Sequence, residues 1–295
     1  MKQPPLIIKI AVGLLLGVGV VSFFIKPTPT QIITREPSAQ EMVFRDLKLE
    51  AKAVMVYDPI NQEVIYENNA DAQLPIASLT KIMTALIASE TLAKDEPVKI
   101  TAGAISEFGD YGFRVGERWH LKNLLDYTLV TSANDGARAL ASAFTPENES
   151  VSEIMNQRAK KLNLNQTYFT NATGLDYFDK LPSAQSSARD LSKLFSYILI
   201  KQPELFEATT REIVNTSSLD QNLYSGQNTN KLAGKIPGLL GSKTGFTDVA
   251  SGNLVLAFDR GLGQPLVAVV LGSSADGRFS DMEELIHRTM RYFSL

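Results

Sequence analysis

Two kinds of apolar periodicity divide this chain, and their order restricts the folds open to it. Toward one end, Ala51 to Tyr57 alternates small or apolar residues, Asp58-Pro59-Ile60-Asn61 supplies turn chemistry, and Val64-Ile65-Tyr66 resumes an apolar run, which predicts a hairpin. Toward the other end, Gly252 to Phe258 and Pro265 to Leu271 flank the turn Asp259 to Gln264 and predict a second hairpin. Between them the repeat becomes helical. Leu79, Ile82, Met83, Leu86 and Ile87 share one face of a helix expected from Ala77 to about Ala93, and further helices are expected at 121–130, 134–144, 150–162, 187–201 and 280–293. Strands at both ends with helices between them predict an α+β fold, in which one antiparallel sheet is assembled from both chain ends, flanked by helices, with a mainly helical subdomain inserted.

Composition removes several function classes. The chain has 29 basic and 32 acidic residues, a formal net charge of −3, and no long block of like charge, so no nucleic-acid surface is expected. Cysteine is absent, which excludes disulfides, thiol nucleophiles and sulfur-rich zinc sites. His120, beside Trp119 at an expected helix start, and His287, in a charged C-terminal helix, are the only imidazoles and are read as structural or solvated. Neither a Ser-His-Asp triad nor a histidine-based metal site is expected, and no cofactor is implied.

The first 48 residues form two segments of different character. Leu6 to Ile25 (LIIKIAVGLLLGVGVVSFFI) is about 20 residues, long enough as a helix to cross the hydrocarbon core of a bilayer. Lys9 is its one charge and lies near the end where its stem can snorkel to the headgroups. No A-x-A-like cleavage site follows, so residues 1–25 are read as an uncleaved signal anchor, with a cleaved signal peptide, and hence secretion, as the alternative. Residues 26–48 carry Pro27, Pro29 and Pro37 among Thr, Gln and Glu and are read as an extracytoplasmic tether. The folded domain is expected to span 49–295. The expected setting is a cytoplasmic membrane, the N-terminal helix anchoring a domain outside it.

Three short motifs carry the chemistry. Ser78-Leu79-Thr80-Lys81 is the only S-x-x-K in the chain and opens its most apolar helix. Residues three apart share a helical face, so the Lys81 amine can reach the Ser78 hydroxyl. A serine nucleophile needs a base, and a lysine can serve once its proton is driven off. Burial beside Leu79, Ile82 and Met83, helped by a second cation nearby, would depress the lysine's pKa, so Lys81 is expected to be at least partly neutral at working pH. Ser132-Ala133-Asn134 falls in a break between two helical stretches, where a turn can point a hydroxyl and an amide into a cleft; the alternative is helix capping, since an N-cap preference would explain either residue. Ser251-Gly252-Asn253 repeats the S-x-N pattern inside an expected strand and is set aside. Lys243-Thr244-Gly245 is flanked by Gly241 and Gly238, which let a backbone approach a ligand; the alternative is an edge strand with one exposed lysine. An ammonium and a hydroxyl side by side there would suit a carboxylate.

In this order the motifs resemble S-x-x-K, S-x-N and K-T-G of the penicillin-recognising serine acyltransferases. The chain resembles the low-molecular-mass penicillin-binding proteins of the D-alanyl-D-alanine carboxypeptidase type, from about Lys52 to Gly272. The likeness extends to Leu74-Pro75-Ile76-Ala77-Ser78, Gly112-Phe113-Arg114-Val115-Gly116-Glu117, Phe169-Thr170-Asn171-Ala172-Thr173-Gly174-Leu175, Ser187-Ala188-Arg189-Asp190-Leu191 and Asn228-Thr229-Asn230-Lys231-Leu232. The resemblance implies a β-lactamase/transpeptidase-like fold. It implies Ser78 as nucleophile, Lys81 as general base, Ser132 as relay to the leaving amine and Asn134 as holder of the substrate amide. Lys243 would supply positive potential, Thr244 would contact the terminal carboxylate, and the backbone N–H groups of Ser78 and of Phe246, which follows Gly245, would form the oxyanion hole.

The implied reaction removes the terminal D-alanine of a peptidoglycan stem peptide through an acyl-serine ester, and β-lactam antibiotics would acylate Ser78 as substrate mimics. Many members continue into a β-rich C-terminal domain and an amphipathic membrane helix, whereas this sequence ends at Leu295 and carries its apolar segment at the other end. The orientation of the site toward the wall is therefore not carried over. Three alternatives use related residues: a D,D-endopeptidase acting on cross-links, a class A-like β-lactamase, and a β-lactam sensor that is acylated without turnover. A class A enzyme needs a deacylating glutamate in an E-x-x-L-N setting, and neither Glu153 nor the 147–149 region provides it.

Overall fold

The computed structural model describes residues 39–177 and 180–295. The central sheet consists of β1 (Ala53–Asp58), β2 (Glu63–Asn68), β3 (Leu239–Thr247), β4 (Ser251–Asp259) and β5 (Pro265–Ser273). Its order is β3-β4-β5-β1-β2, with every neighbouring pair antiparallel, so the pairing of β1 with β5 joins the two ends of the domain as expected. Successive side chains of a strand point to opposite faces. Met55, Val255, Val267 and Val269 accordingly enter one buried cluster, and Val54, Val56, Leu254, Leu256, Ala268 and Val270 enter another. Both faces are covered, which is why these strands read as nearly continuous apolar runs.

Besides the single turn Ala102–Ile105, the α-helices of the described residues are α1 (Ala39–Val43), α2 (Lys81–Thr91), α3 (Leu121–Thr131), α4 (Asn134–Phe144), α5 (Val151–Lys161), α6 (Ala188–Lys201) and α7 (Gly277–Phe293). Helix α7 covers one face of the sheet through Phe279, Met282 and Leu285, and α6 packs on the other through Leu191, Phe195 and Ile198. Residues Lys81 to Ala88 of α2 are all buried. A helix enclosed on all sides belongs in the core, and α2 contacts α4, α3, α5 and α6 there.

Two local readings are revised. The packed body extends back to Ala39, where the sequence reading begins the domain at Leu49: Val43 and Phe44 are buried, Phe44 stacks on Tyr66, and Arg288 of α7 donates to the Val43 carbonyl. Residues 39–48 are thus docked chain, and the prolines that suggested a tether all precede them. The helix expected from Ala77 also begins as a 3₁₀ turn, Ala77–Thr80, and becomes α-helical at Lys81. The expected span at residues 6–25 and the earlier tether residues lie outside the described residues. Among the described residues no helix is long and apolar enough to cross a membrane.

Candidate active site

Ser78 stands in the 3₁₀ turn at the entry to α2, immediately after Ala77, whose φ of 48° lies in the left-handed region. Such a backbone costs about 1–3 kcal/mol in a non-glycine residue and persists where surrounding contacts enforce it. Here the Thr80 hydroxyl donates to the Ala77 carbonyl at 2.7 Å. The edge strand β3 runs beside this turn, with Gly245 at the approach: a Cβ there would lie 2.5 Å from the Ile76 carbonyl and 3.3 Å from the Ser78 nitrogen. Only a glycine lets the K-T-G strand come this close to the turn that carries Ser78.

Lys81, the first residue of α2, is fully buried. Its Nζ lies 3.0 Å from Ser78 Oγ, 2.7 Å from Asn134 Oδ1 and 2.7 Å from the Thr173 carbonyl oxygen. Burial pushes its pKa down to about 7, while the more distant charges of Glu107 and Asp135 oppose the shift. Asn134 opens α4 and does not cap it: the N-cap position is Ala133, and Asn134 Nδ2 donates to the Phe108 carbonyl at 2.7 Å. Ser132 terminates α3 in the left-handed region, φ 63°, with no capping role for its side chain. The N-cap alternative for both residues therefore gives way, Ser132 being the C-cap of α3 through its backbone N–H.

Lys243 is buried in β3, and its Nζ donates to Ser132 Oγ at 2.8 Å and to the Thr244 carbonyl at 3.0 Å. Burial, then the charges of Lys81 and Arg278, hold it well below the ordinary lysine range. The expected help from a second cation is not among the causes of the Lys81 shift, where burial alone lowers the pKa; the charge of Lys81 acts on Lys243 instead, and burial is the main cause for both lysines. Neither forms an ion pair with a carboxylate among the described residues. Thr244 Oγ1 donates to Thr229 Oγ1 at 2.6 Å. The Ser251-Gly252-Asn253 repeat is structural: Asn253 is fully buried, accepting from Gly272 N and donating to the Pro75 carbonyl.

Ser78, Ser132, Asn134, Thr244, Gly245 and Phe246 line one cleft of about 270 Å³. Lys81 and Lys243 stand behind its wall. The ammonium of Lys243 faces Ser132 instead of sitting beside the Thr244 hydroxyl at the cleft surface. Among the described residues the one charged side chain in the lining is Arg278, from the first turn of α7, whose Nη1 donates to the Gly245 carbonyl at 2.8 Å and whose buried Nε has no hydrogen-bond partner there. Sequence reading missed it because the helix was expected to begin at 280. A usable signal existed, since a cation in a helix's first turn opposes the helix dipole and demands another reason. His120 and His287 are not in the cleft lining.

A family model described as D-alanyl-D-alanine carboxypeptidase matches residues 38–275. The chain is 32% identical over 235 residues to D-alanyl-D-alanine carboxypeptidase DacF of Bacillus subtilis, covering 78% of this chain and 59% of that protein. It is 34% identical over 210 residues to the D-alanyl-D-alanine endopeptidase of Escherichia coli, covering 69% and 66%. The chain thus spans less than two thirds of the length of these curated relatives. Among solved structures, Penicillin-Binding Protein D2 from Listeria monocytogenes in the ampicillin bound form matches with a TM-score of 0.71 at 35% identity, over 82% of this chain and 98% of that one. A mutant of the Streptomyces K15 DD-transpeptidase, at 24% identity and a TM-score of 0.74, covers 84% of this chain and 100% of that one and shows the same fold. With one family match running from the docked N-terminal helix to the end of the central sheet, the chain belongs to the D-alanyl-D-alanine carboxypeptidase family of serine peptidases.

Proposed function

We propose that the protein is a serine-type D-Ala-D-Ala carboxypeptidase that removes the terminal D-alanine from peptidoglycan stem peptides, and that β-lactams acylate it at the same serine. The observation that carries this reading is the set of partners around Lys81. A neutral amine has two N–H groups and one lone pair. Asn134 Oδ1 and the Thr173 carbonyl can only accept, so they take the two protons and leave the lone pair for the Ser78 hydroxyl. Deprotonated Lys81 is thereby oriented as a general base.

Ser78 Oγ attacks the carbonyl of the penultimate residue while Lys81 takes its proton. The oxyanion forms against the backbone N–H groups of Ser78 and Phe246, each such donor contributing about 3 kcal/mol at a transition state. The leaving amine receives a proton through Ser132, whose hydroxyl is oriented by the Lys243 donor. Thr244 and Arg278 hold the terminal carboxylate. Water then attacks the acyl-serine ester and regenerates Ser78.

An endopeptidase acting on cross-links uses the same groups, and the 34% identity to an endopeptidase supports that reading second. The β-lactamase reading loses support because no carboxylate lines the cleft among the described residues. The apolar segment at 6–25 supports membrane anchoring with the domain extracytoplasmic, to be checked by membrane fractionation and protease accessibility.

One assay separates these readings. The protein is incubated with a stem pentapeptide and, separately, with a cross-linked dimer, while free D-alanine and muropeptide masses are followed. D-Alanine release from the pentapeptide is expected, and Ser78→Ala abolishes it together with the penicillin adduct. Cleavage of the dimer alone would assign an endopeptidase, and a stable adduct without peptide turnover a sensor. Persistence of the adduct in Ser78→Ala would overturn the nucleophile.

A further inference from the structure

We infer that Asn171 is a positioning residue for acylation: its side-chain carbonyl fixes the Thr173–Gly174 peptide unit so that the Thr173 oxygen faces Lys81 and leaves the amine's lone pair for Ser78. The inference rests on the reading of Ser78 and Lys81 as nucleophile and base. A peptide unit is planar, with its C=O and N–H pointing in opposite directions. In this one, the Thr173 carbonyl accepts from Lys81 Nζ at 2.7 Å, and at the opposite end the Gly174 N–H donates to Asn171 Oδ1 at 2.8 Å. Anchoring the N–H therefore sets the direction of the acceptor.

The clamp has further points of attachment. Asn171 Oδ1 also accepts from the Thr173 backbone N–H at 3.1 Å and lies 3.3 Å from Thr173 Oγ1, while Asn171 Nδ2 donates to the Leu175 carbonyl at 3.0 Å. Thr84, on the same helix as Lys81, donates its hydroxyl to the Ala172 carbonyl at 2.8 Å and docks the loop on α2. Gly174 explains why a clamp is needed. Its φ is +79°, and a Cβ would fall 2.0 Å from the Ala77 carbonyl, so only glycine lets the loop lie against the turn that carries Ser78. The same residue leaves the preceding peptide free to rotate. The side chain of Asn171 removes that freedom at the point where Lys81 needs a fixed acceptor.

The test measures the rate of acylation by a fluorescent penicillin between pH 5 and 10, together with thermal unfolding, for the wild type, Asn171→Ala and Asn171→Asp. The charged groups acting on Lys81, namely Glu107, Asp135 and Lys243, stay in place in all three. Asn171→Ala frees the peptide, so its plateau rate is expected to fall at least about tenfold, the loss of one charge-assisted hydrogen bond. Its acidic limb moves to lower pH, because the ammonium loses an acceptor. Asn171→Asp keeps an acceptor for the two amides and adds a negative charge; its plateau stays within a few fold of wild type, and its acidic limb moves to higher pH. A loop residue without this role would lower the unfolding temperature and leave plateau and limb unchanged, and that result overturns the inference. Should Asn171→Ala fail to fold, an unmoved limb in Asn171→Asp overturns it alone. A wild type that is not acylated at Ser78 removes the underlying reading instead, so the two failures are distinct.

Discussion

Lys81 Nζ lies 3.0 Å from Ser78 Oγ, and its two other contacts are to oxygens that carry no proton. In the proposed mechanism this arrangement makes the protonation state of one buried amine the switch for Ser78. With burial pushing Lys81 down to about 7, the rate of Ser78 acylation should rise as the pH passes upward through that value and then level off. Lys81→Arg keeps the charge and cannot act as a base; its acylation rate by labelled penicillin should be about 10²–10⁴-fold lower at every pH between 6 and 9.

The same shift predicts a stability profile. Lys81 titrates at about 7 when folded against its ordinary 10.5 when unfolded, so between those values the unfolded chain holds a proton that the folded one does not. Folded-state stability relative to the Lys81→Met variant should therefore increase from pH 7 toward pH 10. Below about pH 7 both states are protonated and the difference flattens. Urea unfolding of the two proteins in parallel at pH 6, 7, 8.5 and 10 measures it; a constant difference over the whole range would contradict a depressed lysine.

Ser132 couples function to backbone strain. Its φ of 63° is tolerated by glycine, whereas alanine retains the strain and loses the hydroxyl that accepts from Lys243. Ser132→Gly should unfold at a higher temperature than Ser132→Ala, by about 1 kcal/mol of stability. Both variants should lose peptide turnover by about 10²-fold or more. Melting curves and D-alanine release check the two halves separately.

Arg278 should act on binding. Replacing it with Gln removes the charge that lines the cleft while leaving a donor for the Gly245 carbonyl. KM for peptides ending in a free carboxylate should rise at least about tenfold, with little change for the same peptides amidated at the C-terminus. An equal loss on both substrates would assign Arg278 to holding β3 in place.

The architecture and the three motifs were legible along the chain because they depend on short-range order. Period-2 runs such as Leu254 to Phe258 and Pro265 to Leu271 marked the strands, and the 3.6 repeat of Leu79, Ile82, Met83 and Leu86 marked α2. Ser78 and Lys81 reach each other through one helical turn, a contact written in their spacing. The docked segment at Val43 and Phe44 was not legible, since a five-residue helix carries too few residues to show a period. The start of α7 was missed because Asp276, Gly277 and Arg278 carry no apolar signal.

What the chain alone determines about this protein is the sheet built from both ends, the placing of Ser78 beside Lys81, proposed as nucleophile and base, and the family those residues mark. What only the tertiary structure decides is the state of that base. Asn134 and Thr173 reach Lys81 across 53 and 92 residues of chain, Lys243 is turned toward Ser132 behind the cleft wall, and Arg278 is brought to the cleft by a helix whose sequence reads as surface. A pKa is set by desolvation and by the particular donors and acceptors within hydrogen-bonding distance. Those are properties of packing, which spacing along the sequence does not record.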